Sequence, residues 1–132
     1  MKEVAKRFGT SLDEDDFNTT KTTLSEDCKY IIGNEILIGP ENICRSYEQN
    51  MQEGRKKLDV LEWGQSWIEP IDETRFYVHF TDYLTHKGQK YIHRCKQRLT
   101  ISDIGKINLI EHIFDQEEQN RLDAFYQRVG LK

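Results

Sequence analysis

Four residues in the second half of the chain could do acid–base or hydrogen-bonding chemistry together: Asp82, His93, Gln97 and His112. Imidazole titrates near neutral pH. A carboxylate beside it can orient the ring and raise its pKa, so Asp82 with His93 is a candidate general base and its orienting group. His112 is a candidate second acid–base or a ligand-binding donor. Gln97 does not titrate but both donates and accepts. Cys95 would be a nucleophile only as a thiolate, and buried cysteines are normally inert. His93, Cys95 and His112 make a poor metal set. The first two alternate along one strand about 7 Å apart, and no zinc-type spacing is present. No metal and no cofactor is expected.

These side chains need a strand pair to bring them to one face. A tight turn at Lys87-Gly88 pairs His86 with Gln89. Continuing outward, Asp82 meets His93, Phe80 meets Cys95, Val78 meets Gln97 and Phe76 meets Leu99. Phe76, Val78, Phe80, Cys95, Leu99 and Ile101 then share one face, with Asp82, His93 and Gln97 among them. Tyr77, His79, Thr81, Tyr83, Arg94, Lys96 and Arg98 take the other. One apolar and one polar face suits a half-buried antiparallel pair, and a slip by one residue would mix them.

The strands of this half are expected at about 58–69, 74–85, 90–101 and 106–114. The first half reads as helices: Val4–Phe8, a second opened by the acids before Phe17 and running to about Leu24, and a third from Gly39-Pro40 to near Gly54. Cys28–Ile32 is a short strand turned by Gly33-Asn34-Glu35. In the third helix, Ile43, Tyr47 and Met51 form a buried stripe. Helices first and a meander second imply an α+β fold.

With 132 residues, 36% apolar and 32% charged, the chain suits one folded domain spanning 1–132. There is no Gly/Ser-rich linker and no internal repeat. A net charge of −4 gives no basic surplus for nucleic acid. Three scattered cysteines form neither a disulfide framework nor a zinc motif, which points to a reducing compartment. No apolar run is long enough for a membrane helix, and Met1–Arg7 lacks the apolar core of a secretory signal. A cytoplasmic location and no membrane partner are expected.

Trp63 and Trp67 fall on one face if the strand at 58–69 is continuous. They could be an aromatic wall for a flat ligand, core, or part of a dimer interface. The acids Asp13 to Asp16 read as a helix-start cap.

Several ordered pieces carry a family resemblance: Asp16-Phe17, Asp27-Cys28 with Tyr30, Gly39 and Glu41 with Ile43 and Tyr47, Gly105-Lys106-Ile107, Glu111-His112, Asp115, and a last helix ending Arg128-Val129-Gly130. Over its full length the chain resembles the SnoaL-like branch of the nuclear transport factor 2-like superfamily, with its ketosteroid isomerases and polyketide cyclases. The resemblance implies a cone-shaped, strongly curved antiparallel sheet with about three helices enclosing a pocket, and a homodimer through the outer sheet face. It places Phe8, Ile32 and Gln97 where the isomerases hold their tyrosine, base and second acid, so that machinery is absent. It turns Asn108, Ile110, His112 and Phe114 inward, and Ile107, Leu109 and Ile113 outward as a partner surface.

Two readings follow. One is a pocket enzyme of the isomerase, hydratase or cyclase type, acting without a cofactor through Asp82, His93 and His112. The other is a non-catalytic homodimeric ligand-binding or interaction module. In either, the ligand is a small apolar or aromatic molecule. Its binding residues are Gln97, Cys95, Phe76, Phe80, Phe114, Ile110, Trp63, Trp67, Phe8 and Tyr30.

Overall fold

The computed structural model describes residues 1–132. In chain order the elements are α1 (Lys2–Asp13), α2 (Phe17–Thr23), β1 (Leu24–Ile32), β2 (Glu35–Ile38), α3 (Pro40–Lys57), β3 (Val60–Trp63), β4 (Trp67–Pro70), β5 (Arg75–His86), β6 (Gln89–Ile101), β7 (Ile107–Ile113) and α4 (Gln116–Arg128). The strands form one open α+β sheet in the order β2-β1-β7-β6-β5-β3, with β4 also paired to β5.

Local chemistry sets the helix ends. The Asp16 side chain accepts from the Thr19 amide and caps α2; Asp115 does the same for α4 through the Glu118 amide. Gly39 turns the chain into α3 at φ +90°, a conformation that favours glycine, and Pro40 opens the helix. On α1, Ala5, Phe8 and Leu12 recur at helical spacing and are buried.

The β5–β6 hairpin has the expected register, with Asp82 opposite His93, Phe80 opposite Cys95 and Val78 opposite Gln97. Lys87 and Gly88 take positive φ values of 49° and 77°, as the tight turn requires.

On the inner face this hairpin supports two separate cores. The larger joins α1, α3 and β1 to Phe76, Val78, Leu99, Ile101, Ile107 and Ile110. The smaller lies near the hairpin tip, where Leu84 packs with Leu58, Phe125 and Val129. There the Phe125 ring stacks on Tyr91 at 5.5 Å, so α4 docks across β6. The rows between the cores are Phe80 with Cys95 and Asp82 with His93.

Five features depart from the sequence reading. There are four helices rather than about three, and α1 runs to Asp13 rather than Phe8. The sheet is antiparallel except where β1 runs parallel to β7. Most of the chain separates these two strands, so no tight turn dictates their direction.

The expected strand at 58–69 is two strands. Four steps from Trp63 to Trp67 match only three from Asp82 to His79, so the break at Gly64–Ser66 inserts a residue and swaps faces. Trp63 therefore points inward and Trp67 outward.

A similar irregularity falls on β7. Ile110 pairs with Leu99 and Leu109 with Thr100, but Ile107 pairs with Ile101. The extra residue is Asn108, which is exposed rather than inward, and Ile107 is fully buried rather than outward.

Gly9 sits on the face of α1 that meets the sheet. A β-carbon there would lie 2.6 Å from Ser66 Oγ and 3.3 Å from Val78 Cγ2. Alanine normally stabilises a helix interior relative to glycine by about 1 kcal/mol. At this position the sign should reverse, because Ser66 Oγ must move and it is bonded to Asp13. We expect Gly9→Ala to lose about 1–3 kcal/mol in urea unfolding; a variant as stable as the parent would show that the helix can shift outward at no cost.

Candidate functional site

Two cavities lie along the space between the two cores, and Phe80 and Thr81 line both. The first cavity is a small pocket of about 130 Å³ between α1, α3 and the sheet. Its apolar walls are Leu12, Phe17, Tyr47, Met51, Trp63 and Phe80, and its charged residues are Asp13, Asp15 and Asp82.

Two of these carboxylates are satisfied by the protein. Asp13 accepts from the Ser66 amide and hydroxyl, each at 2.8 Å. Burial still raises its pKa, partly offset by those two bonds. Asp15 accepts from Trp63 Nε1 at 2.8 Å and from Arg55 at 2.8 Å. Asp82 has no hydrogen bond from any protein group. Burial pushes its pKa up to about 6, with the charge of His93 opposing and that of Asp13 reinforcing the rise.

The second cavity is an open cleft of about 760 Å³ that runs from Trp67 and His79 on the outer face past the middle of β6 to the end of β7 and the start of α4. His93, Cys95, His112 and Glu118 line it. Here the structure supplies a partner the sequence reading missed. Glu118 Oε2 lies 2.9 Å from His93 Nδ1 and also accepts from the Tyr91 hydroxyl, while Oε1 accepts from Arg121 at 3.1 Å. Burial would raise the Glu118 pKa, but the bonds from Tyr91, His93 and Arg121 outweigh it and hold the carboxyl below its ordinary range. With Nδ1 donating to a carboxylate, His93 carries its lone pair on Nε2, which has no protein partner. Glu118 thus occupies the orienting position expected for Asp82. The signal for it was the spacing of Asp115 and Glu118 at a helix start, which puts Glu118 in the first turn.

The remaining candidates separate. Gln97 is 4% exposed and lines neither cavity. Its Nε2 donates to the Tyr30 hydroxyl at 2.8 Å and its Oε1 accepts from Tyr47 at 2.7 Å, so its capacity is spent on the fold. Tyr30 stacks on Tyr47 at 5.2 Å. Phe8, Tyr30, Phe76 and Ile110 belong to the main core rather than to a lining. Burial, with the charges of Asp82 and Glu118, raises the Cys95 thiol to about 12, so it is not a nucleophile near neutral pH. His112 is half-buried, and burial followed by the charge of His93 lowers its pKa.

Phe114 lies past the end of β7 and is 63% exposed at the cleft rim, not inward. Trp67 is 55% exposed on the outer face, stacked on His79 at 3.8 Å, so it borders the larger cleft rather than the small pocket that Trp63 lines.

The fold is that of the SnoaL-like, nuclear transport factor 2-like proteins. A polyketide cyclase candidate from Xanthomonas campestris pv. campestris superposes with a TM-score of 0.65 at 14% identity, over 89% of this chain and 92% of that one. An LEH-like epoxide hydrolase from M. tuberculosis gives 0.64 at 18% identity, over 98% and 95%. A de novo designed protein with a curved β-sheet gives 0.60 at 17% identity, over 96% and 93%. No protein-family model matches the sequence, and no curated protein matches it. A designed chain with this fold is a reminder that architecture alone assigns no reaction.

The Asp82 environment has a measurable consequence. Its folded-state pKa of about 6 exceeds the ordinary 3.8, so the folded chain holds the extra proton between those values. Stability therefore falls as pH rises from about 4 to about 6, and the cost of the buried charge persists above that. Asp82→Asn should be more stable than the parent by about 1–3 kcal/mol at pH 7, with the gap closing by about pH 4. Urea unfolding at the two pH values measures this; equal stabilities at pH 7 would mean that the carboxylate is solvated.

Proposed function

We propose that the chain is a small-molecule pocket protein in which Asp82 acts as an acid–base without a cofactor. The observation that carries this is a carboxylate with no protein partner on the wall of a largely aromatic pocket, whose two other carboxylates are already bonded by the protein. Such a group is poised to take a proton at neutral pH, and nothing in the fold needs it there. A protein with this fold described as an epoxide hydrolase and another described as a cyclase candidate fit a reaction that moves a proton on a small, mostly apolar substrate. Isomerisation, hydration and cyclisation all belong to that class. His93, oriented by Glu118, would serve from the cleft that Phe80 also lines, with His112 beside it.

The test is turnover of small apolar epoxides and β,γ-unsaturated ketones as probes. We expect kcat/KM for one class to rise with pH through about 6 and to fall by roughly 100-fold or more in Asp82→Asn. Turnover that survives this substitution would remove Asp82 from the chemistry. Binding of these probes without turnover would favour the second reading, a ligand-binding module. That reading draws on the pocket itself, since Asp13 and Asp15 are both already occupied by protein donors.

The same reading includes a homodimer through the outer sheet face. It is supported by Trp67, exposed and stacked on His79, with Tyr77, Leu109 and Ile113 half-buried on the same side. Light scattering at tens of micromolar should give the dimer mass and Trp67→Glu the monomer mass; a monomeric parent would overturn it. A cytoplasmic setting fits three unpaired cysteines, and no helix is long and apolar enough to cross a membrane.

A further inference from the structure

Every charged residue lining the small pocket is acidic, and no lysine, arginine or histidine shares the lining. Four aromatic rings, Phe17, Tyr47, Trp63 and Phe80, surround these acids. The faces of such rings attract cations, most strongly where water is excluded. The fold already uses half of this arrangement. The Arg55 guanidinium lies 5.6 Å from the centre of the Trp63 ring and pairs with Asp15, which in turn holds the Trp63 indole N–H. Asp82 is the matching acid that no protein group bonds, the charge of the cross-strand His93 acting on it only at a distance.

From this we infer that the ligand of the pocket is a small organic cation, a protonated amine on a compact apolar body, with its ammonium on Asp82 and its body against Trp63, Phe17 and Phe80. The inference rests on the ligand-binding reading of the pocket, in which Asp82 stays a carboxylate, and narrows it to one class of ligand. A metal ion is a poorer match, because no group of three or more histidine, cysteine or acidic side chains is arranged to hold one. Size sets a further limit. A dry cavity of about 150 Å³ accommodates a benzene ring, so a pocket of about 130 Å³ is filled by one ring at most, which leaves the ammonium at the partly exposed Asp82 edge. The pairing also offsets the cost of the lone, half-buried carboxylate, since a desolvated charge is tolerated when an opposite charge meets it. An alcohol of the same shape offers a hydrogen bond but no charge.

Benzylammonium and benzyl alcohol are matched probes of this difference. Titration of the full chain at pH 7.5, followed by the Trp63 indole N–H resonance and by calorimetry, should show benzylammonium binding at least about tenfold more tightly. Asp82→Asn, which keeps the shape and is expected to fold more stably, should remove that preference while leaving alcohol binding in place. Equal affinities in the parent, or a preference retained in Asp82→Asn, would overturn the cation while leaving the pocket reading intact. If neither probe moves the Trp63 resonance at millimolar concentration, the pocket itself is closed, and both readings fall together.

Discussion

The structure depends on one strand pairing, the β5–β6 hairpin. Its tight turn holds twelve cross-strand pairs in a single register, from Arg75 with Thr100 to His86 with Gln89. Because side chains alternate along a strand, that register decides which residues face the helices over the length of both strands. It puts Val78 and Leu99 under α1 and α3 and Leu84 under α4. It leaves Asp82 and His93 in the interval. Two hydrophobic cores on one continuous ribbon create a gap between them, and the gap is where polar groups can be held without breaking either core.

The acids near this gap meet opposite fates. Glu118 is buried and fully bonded, to Tyr91, His93 and Arg121, so it fastens α4 to the hairpin as a carboxylate. Asp82 is half-buried without a bond, and burial pushes its pKa up to about 6. A chain under selection for stability alone would carry asparagine or an apolar residue there. Groups that cost stability and hold up nothing in the fold are the ones most often retained for function. The contrast separates the two roles more clearly than residue type could, since both are acids near the same histidine.

Phe80 gives the gap its shape. It lines both the acidic aromatic pocket and the His93–His112 cleft.

Much of this was legible in the residues themselves. Alternation from Phe76 to Ile101 and the Lys87-Gly88 turn determine the hairpin, its register and its inner face, because a wrong register would bury charge. The helix positions follow from Pro40, Asp16 and the spacing of Ile43 and Tyr47. What lies beyond local pattern was decided by the tertiary structure. The bulges at Gly64–Ser66 and Asn108 send Trp67 to the outer surface and Ile107 into the core, and a single inserted residue leaves no mark on composition. The parallel pairing of β1 with β7 and the arrival of Glu118 at His93 join segments far apart in the chain. Gln97 looks like a site residue in its strand, and only the packing of Tyr30 and Tyr47 around it turns it into structure. Periodicity reports which face a residue takes; which partner it meets there depends on elements the strand does not contain.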